Sequence, residues 1–370
     1  MGLLFTIIGG LIVFTVIVLV HELGHFIVAK KSGVKVEEFA VGLPPRIWSK
    51  KKGETTYAIN AIPFGGYVKL LGEDGAYEDD PRSMASKPAY TRFIILVAGV
   101  TFNLLLAYIL IVGSYIVGMS RPIIPGLEGQ PGVKNTMQVE IQGVEKGTPA
   151  DKQGLQNGDI IESVEGSYVK DTASVIQDIQ NKVNRDNKTK INMVIVRNGR
   201  EITKSFSTYK AKEKVGNKEV SVNRIGVILD QKGKISASPL VAIRAGFSEV
   251  GYFITYYIKS LVQVLDNILT KYRVPSGVAG PVGIFQLSGD AVQSGVSIFI
   301  QWIALLSAAI GIVNIMPILP LDGGHLLIVI VESIMRKKVP QNVKLSLSLA
   351  GWAVFGIFLV VITLNDLKII

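Results

Sequence analysis

The chain of 370 residues contains no cysteine, which excludes both a disulfide framework and a thiolate metal site. Histidine is nearly as scarce, with three in the whole chain. Charge is thin as well: 18% of residues are charged against 48% hydrophobic, and the mean hydropathy is +0.39. That balance excludes an ordinary water-soluble enzyme and fits an integral membrane protein with a soluble part. Internal repeats are missing, which argues against a transporter assembled by duplication around an intramembrane ion site. The net charge of +10 does not point to nucleic acid, because much of it sits in loops beside apolar runs, where it sets topology.

What the chain does have is long apolar runs. Leu3–Val20, Phe93–Met119, Val296–Met316 and Leu345–Leu364 each approach the roughly 20 residues that a bilayer needs. No Lys or Arg precedes the first run and no small-residue cleavage site follows it, so it is expected to stay as the first helix rather than to leave as a signal peptide. Basic residues crowd the segment between the first two runs, among them Lys30, Lys31, Arg46, Lys50, Lys51 and Lys52. Arg336, Lys337, Lys338 and Lys344 give the segment between the last two runs the same sign. The positive-inside rule then puts both of these loops in the cytoplasm and residues 120–295 outside. A fifth apolar stretch, Leu240–Leu269, is interrupted by Arg244, Glu249, Lys259 and Asp266 and is expected to lie along the interface instead of crossing it.

Two of the three histidines bracket a glutamate in His21-Glu22-Leu23-Gly24-His25, directly after the first apolar run. Four residues apart on a helix, the imidazoles stack on one face and can reach one tetrahedral zinc. Glu22, beside the first ligand, is placed to serve as the general base of a hydrolase. A catalytic zinc site takes three protein ligands, and on the same membrane side the chain offers Asp322 in Asn314-Ile315-Met316-Pro317-Ile318-Leu319-Pro320-Leu321-Asp322-Gly323-Gly324. His325, three residues on, is a rival for the same role, or a polar residue near the loop.

Together these motifs resemble the site-2 protease family of intramembrane metalloproteases, in its bacterial sigma-factor-regulating branch. The resemblance extends over nearly the whole chain: Gly65-Gly66-Tyr67-Val68-Lys69 looks like the family's membrane-associated β-hairpin, and Gly280-Pro281-Val282-Gly283 and Gly99 with Phe102-Asn103 resemble further signatures. By position, it implies that His21, His25 and Asp322 bind Zn2+ and that Glu22 is the catalytic base. It also implies substrate-binding roles for Asn314, Pro317, Pro320, Asn103, Gly66, Tyr67 and Val68. Pro317 and Pro320 are three apart, where the family usually has its second proline two residues after the first. Thr55–Ile59 and Tyr67–Leu71 flank a turn at 62–66 and are expected to pair as a hairpin whose edge takes up an unwound substrate.

Between the second and third runs, Gly147-Thr148-Pro149-Ala150, Gly154-Leu155, Gly158-Asp159-Ile160-Ile161 and Val164-Glu165-Gly166 resemble a PDZ domain. Asn198-Gly199, between the strand-like runs 191–197 and 201–207, is a two-residue hairpin signal. The expected fold is therefore integral membrane α-helical, with four transmembrane helices, a membrane-associated β-hairpin and an extracytoplasmic α+β PDZ domain. Residues 1–119 would hold helices one and two with a cytoplasmic hairpin loop (30–92), 131–232 the PDZ domain, 236–290 an interfacial amphipathic segment and 291–370 helices three and four. The resemblance implies a zinc metalloendopeptidase of the bacterial inner (plasma) membrane, its active site towards the cytoplasm. It would cut single-span proteins, such as an anti-sigma factor or a remnant signal peptide, after a first cut outside. Expected partners are those substrates, membrane lipid and an extracytoplasmic peptide or protein at the PDZ domain, with no nucleic acid. The alternative is a membrane-anchored PDZ scaffold that cuts nothing.

Overall fold

The structure, a computed structural model, describes residues 2–73, 75–119, 131–169, 174–179, 190–215, 218–271 and 278–367. They form two compact units, Met1–Ser114 with Ile243–Ile370, and Tyr115–Ala242.

The first unit opens with helix α1, Gly2–Lys31. The helix runs on from the apolar stretch through the histidine motif, as the one-turn spacing of His21 and His25 leads one to expect, until Gly33, at φ 68°, turns the chain. Strands β1 (Val36–Lys52) and β2 (Thr55–Leu70) follow. They do not form the expected hairpin. Val36–Val41 lies between the two halves of β2, matched to Gly66–Leu70 in one register and, from Glu38 onward, to Thr56–Ile59 in another. The true hairpin joins Arg46–Lys52 to Thr55–Asn60. Alternation in a sequence specifies which side chains share a face, but leaves the partner strand open. Gly66 shows why the inserted strand fits: a Cβ there would sit 2.6 Å from the Ala40 carbonyl. Helix α2, Ala89–Val117, returns along α1, and Ala29, Val36, Leu70, Met84, Ile95, Leu96 and Val329 close a core beneath the strands.

The second unit contains β3 (Val133–Asn135), β4 (Gln138–Val144), α3 (Pro149–Lys152), β5 (Ile160–Val164), β6 (Ser167–Tyr168), a helical stretch α4 (174–179), β7 (Lys190–Arg197), β8 (Arg200–Ser207), β9 (Tyr209–Val215), β10 (Lys218–Arg224), β11 (Val227–Lys232) and β12 (Ile235–Ala237). Its main sheet has the order β11-β4-β5-β7-β8, with β6 added to β5. Ile191, Met193 and Ile195 alternate inward on β7 onto Val139, Ile141, Ile161, Val175 and Phe206. Asn198 and Gly199 both take positive φ, 51° and 74°, as the type I′ turn between β7 and β8 requires.

The chain then re-enters the first unit through α5 (Pro239–Lys271), α6 (Pro281–Gln293), α7 (Val296–Asn314), α8 (Asp322–Met335) and α9 (Gln341–Asp366). Among the described residues four helices are long and apolar enough to cross a membrane: α1, α2, α7 and α9. The segment after α7, expected as a plain loop, holds α8, whose Gly323 and Gly324 let the link 315–321 press onto its first turn. Helix α6 packs on α1, with the Cα of Thr6 only 2.6 Å from where a Cβ on Gly289 would be. The Asp366 carboxylate accepts the Gly280 and Gly283 N–H groups (3.0 and 2.8 Å) and so anchors the start of α6.

Candidate metal centre

Helix α1 stacks His21 and His25 one turn apart with both rings buried, their Nε2 atoms 3.2 Å apart. The third group arrives from far along the chain. Asp322, the first residue of α8, places Oδ2 at 3.0 Å from His21 Nε2 and 3.2 Å from His25 Nε2. Among the described residues these three form the group able to hold a metal ion. His325 is not part of it; that side chain lines a cavity of about 330 Å³ with Arg92, Glu73 and Lys344.

The donor set fits zinc on two counts. Ligands on a tetrahedral ion with bonds near 2.0–2.1 Å stand roughly 3.4 Å apart, close to the separations here. The second count is hydrogen bonding. His25 Nδ1–H donates to the Ile95 carbonyl at 2.8 Å, and a carbonyl can only accept. The neutral ring's proton is thereby fixed on Nδ1, and the bare Nε2 faces the Asp322 carboxylate. Two electron-pair donors aimed at each other in a buried site call for a cation between them.

Helix α2 makes room for that ion. Ile95, Gly99 and Asn103 follow at intervals of four and line one face. A Cβ on Gly99 would lie 2.6 Å from His21 Cε1 and 2.8 Å from His21 Nδ1 and would run into His25 Nε2. On α1, a Cβ on Gly24 would lie equally close to the Ala98 carbonyl, at 2.6 Å, so the two backbones approach beside His21 and His25.

Glu22 lies half-buried beside His21, and its Oε2 accepts the Val68 N–H of β2 at 3.1 Å. The strand segment 66–70 thus presents backbone to the carboxylate on the edge away from Val36–Val41. Of the other expected substrate residues, Tyr67 donates to Glu38 at 2.8 Å and Gly66 pairs with Val41. Asn314 ends α7, and Pro317 and Pro320 lie in the link that delivers Asp322. Asn103 sits against the His21 ring, its Nδ2 at 3.4 Å from His21 Nδ1.

A supporting network escaped the sequence reading. Glu332 on α8 is buried and accepts from Arg92 (2.6 Å), Lys344 (2.7 Å) and the Val339 N–H (3.0 Å). It ties α2 and α9 to the helix that begins with Asp322. Nothing in the sequence links Arg92 to Glu332, and only the burial of an acid beside two cations reveals the connection.

Buried His21 and His25 on a helix long enough to cross a membrane, with the half-buried Asp322 facing them and Glu22 adjacent, define a membrane metallopeptidase centre. The chain belongs to Peptidase family M50, the site-2 protease family, whose sequence profile matches residues 9–359, and it is a zinc metalloprotease. Relatives named as zinc metalloproteases include a Clostridium acetobutylicum protein, 31% identical with 98% of this chain and 97% of that one covered. Another, from Mesorhizobium japonicum, is 31% identical with 98% of both chains covered, and a third, from Clostridium perfringens, is 28% identical over 98% of both.

Proposed function

We propose that this metalloprotease hydrolyses peptide bonds within the transmembrane segments of single-span membrane proteins. The observation that carries this reading is the placement of the buried ligands His21 and His25 within α1, a helix that can itself span a bilayer, beside a strand edge whose Val68 N–H already touches Glu22. A substrate helix must expose its backbone to be cut. An edge strand offers the unwound stretch a hydrogen-bonded path alongside the catalytic carboxylate.

Zinc, held by His21, His25 and Asp322, would supply a Lewis acid that makes water nucleophilic near neutral pH and stabilises the oxyanion. Glu22 takes the proton of the attacking water and returns it to the leaving amine. The Val68 N–H orients that carboxylate, and the close approach of α1 and α2 limits the space around it. Water would reach the site from the cytoplasm, the side that the basic loops assign to this end of α1. The second unit fits a PDZ-like module outside the membrane, with β11 or β8 as the outer strand that would pair with a protein or peptide end. The bacterial plasma membrane, an anti-sigma factor or remnant signal peptide as substrate, and lipid contact through the amphipathic helix α5 belong to the same proposal.

The test is cleavage of a tagged single-span protein in proteoliposomes, with the cut position read by mass spectrometry and zinc assayed in parallel. Wild type should cut inside the apolar segment. Glu22→Gln should keep its zinc and lose about 10²- to 10⁴-fold in rate. Cuts confined to the flanking polar segments, or a glutamine variant as fast as wild type, would overturn the proposal. A wild type that cuts none of several shortened substrates would favour the PDZ scaffold.

A further inference from the structure

The two histidine ligands are held from behind in different ways. For His25 the Ile95 carbonyl fixes the proton on Nδ1. For His21 the corresponding neighbour is the Asn103 side chain, fully buried two helical turns along the same face of α2. Its Nδ2 lies 3.4 Å from His21 Nδ1, while its Oδ1 is buried with no hydrogen-bond partner. The residue is also firmly seated: Ser307 on α7 donates to its backbone carbonyl at 2.8 Å, and Gly311 leaves no side chain to crowd its Cβ.

We propose that Asn103 is a positioning residue of the metal centre, its amide oxygen accepting the Nδ1–H of His21 so that this ring presents a bare Nε2 to zinc. When Nε2 is a ligand, the neutral ring's proton must sit on Nδ1. An amide NH₂ facing that N–H would oppose donor to donor. A half-turn about the last side-chain bond exchanges the amide ends at almost no change in shape, which puts the unpartnered oxygen on the proton. Asparagine suits the place because either end can face the ring, Nδ2 when Nδ1 is bare and Oδ1 when Nδ1 is protonated. Acceptors behind metal-binding histidines set their tautomer and direction, and losing one costs about 10- to 100-fold in metal affinity. Asn103 is therefore assigned to the metal and not to the substrate. The proposal rests on His21 being a zinc ligand.

The experiment measures zinc affinity by chelator competition on the purified full chain, with the absorption spectrum of the cobalt-loaded protein as a second readout. Asn103→Leu, similar in size but without an acceptor, should weaken zinc about 10- to 100-fold and shift the cobalt bands. Asn103→Asp keeps an acceptor at the same place and should bind zinc at least as tightly as wild type. A leucine variant with wild-type affinity, or an aspartate variant weakened about tenfold or more, would overturn the proposal. The aspartate arm decides the matter even if the leucine variant fails to fold. A wild type that binds no zinc would overturn the zinc reading itself, and the proposal with it.

Discussion

In the unit that holds the metal centre, the glycines nearest the ligands lie inside helices. Gly24, Gly99 and Gly324 lack a Cβ where a neighbouring backbone or imidazole ring occupies the space. In the Tyr115–Ala242 unit, glycines such as Gly154, Gly158, Gly166 and Gly199 occupy turns at positive φ, and three of these four have open space around them. One residue type thus answers two demands. Apolar helices gain little by excluding water from one another in lipid, so they are held by close backbone contact and satisfied polar groups. A small sheet in water is held by a core such as that of Ile191, Met193, Ile195 and Phe206, and these four glycines supply the left-handed backbone that its turns need.

The difference can be broken most forcefully at Gly99. Gly99→Ala should lose at least about 100-fold in cleavage, because a displacement of that size misplaces both ligands, and zinc content should fall with it. Hydrogen exchange in the Tyr115–Ala242 unit should be unchanged. An alanine variant with full zinc would mean that α2 gives way easily and that close approach is not what builds the site. Gly199→Ala should behave in the opposite manner. A left-handed alanine costs about 1 kcal/mol, to be read as faster hydrogen exchange in β7 and β8, with zinc and cleavage as in wild type.

The smallest effect concerns Asp159 in the second unit. Burial opposes its ionisation, but the Arg197 guanidinium, bonded at 2.6 and 2.7 Å, and the Gln156 N–H outweigh it and hold the carboxyl below its ordinary value. A group depressed in the folded state stabilises fully above its unfolded value, about 3.9, and that contribution is lost as pH falls through the lower folded value. Exchange protection of β5 and β7, corrected for intrinsic rates, should therefore decline below about pH 4 in wild type. It should be flatter with pH in Asp159→Asn. Equal slopes in the two proteins would remove the Asp159–Arg197 pair from the account.

Much of the site could be read in the sequence because its chemistry is carried by side chains at fixed spacing. His21, Glu22 and His25 announce themselves by a one-turn repeat, and Asp322 by the glycines that follow it. The parts that stayed hidden are of another kind. The Ile95 acceptor is a backbone carbonyl, which every residue possesses. Arg92 and Glu332 are joined only by the fold. Asn103 was legible as a residue of note beside Gly99, yet its role depended on knowing that four residues along α2 span one turn facing His21. In the strands, the alternation of Thr55–Leu70 was visible, but the insertion of Val36–Val41 between its halves was not, since register is settled by contacts such as Gly66 against Ala40. The turn at Asn198-Gly199, by contrast, was fully specified by two adjacent residues, because its geometry is local.

The most direct test of the metal centre is zinc stoichiometry in purified wild type, Asp322→Ala and His325→Ala. One zinc per chain in wild type and in the His325 variant, with almost none in the Asp322 variant, is the expected result. Zinc retained without Asp322 and lost without His325 would contradict the ligand set on which the account stands.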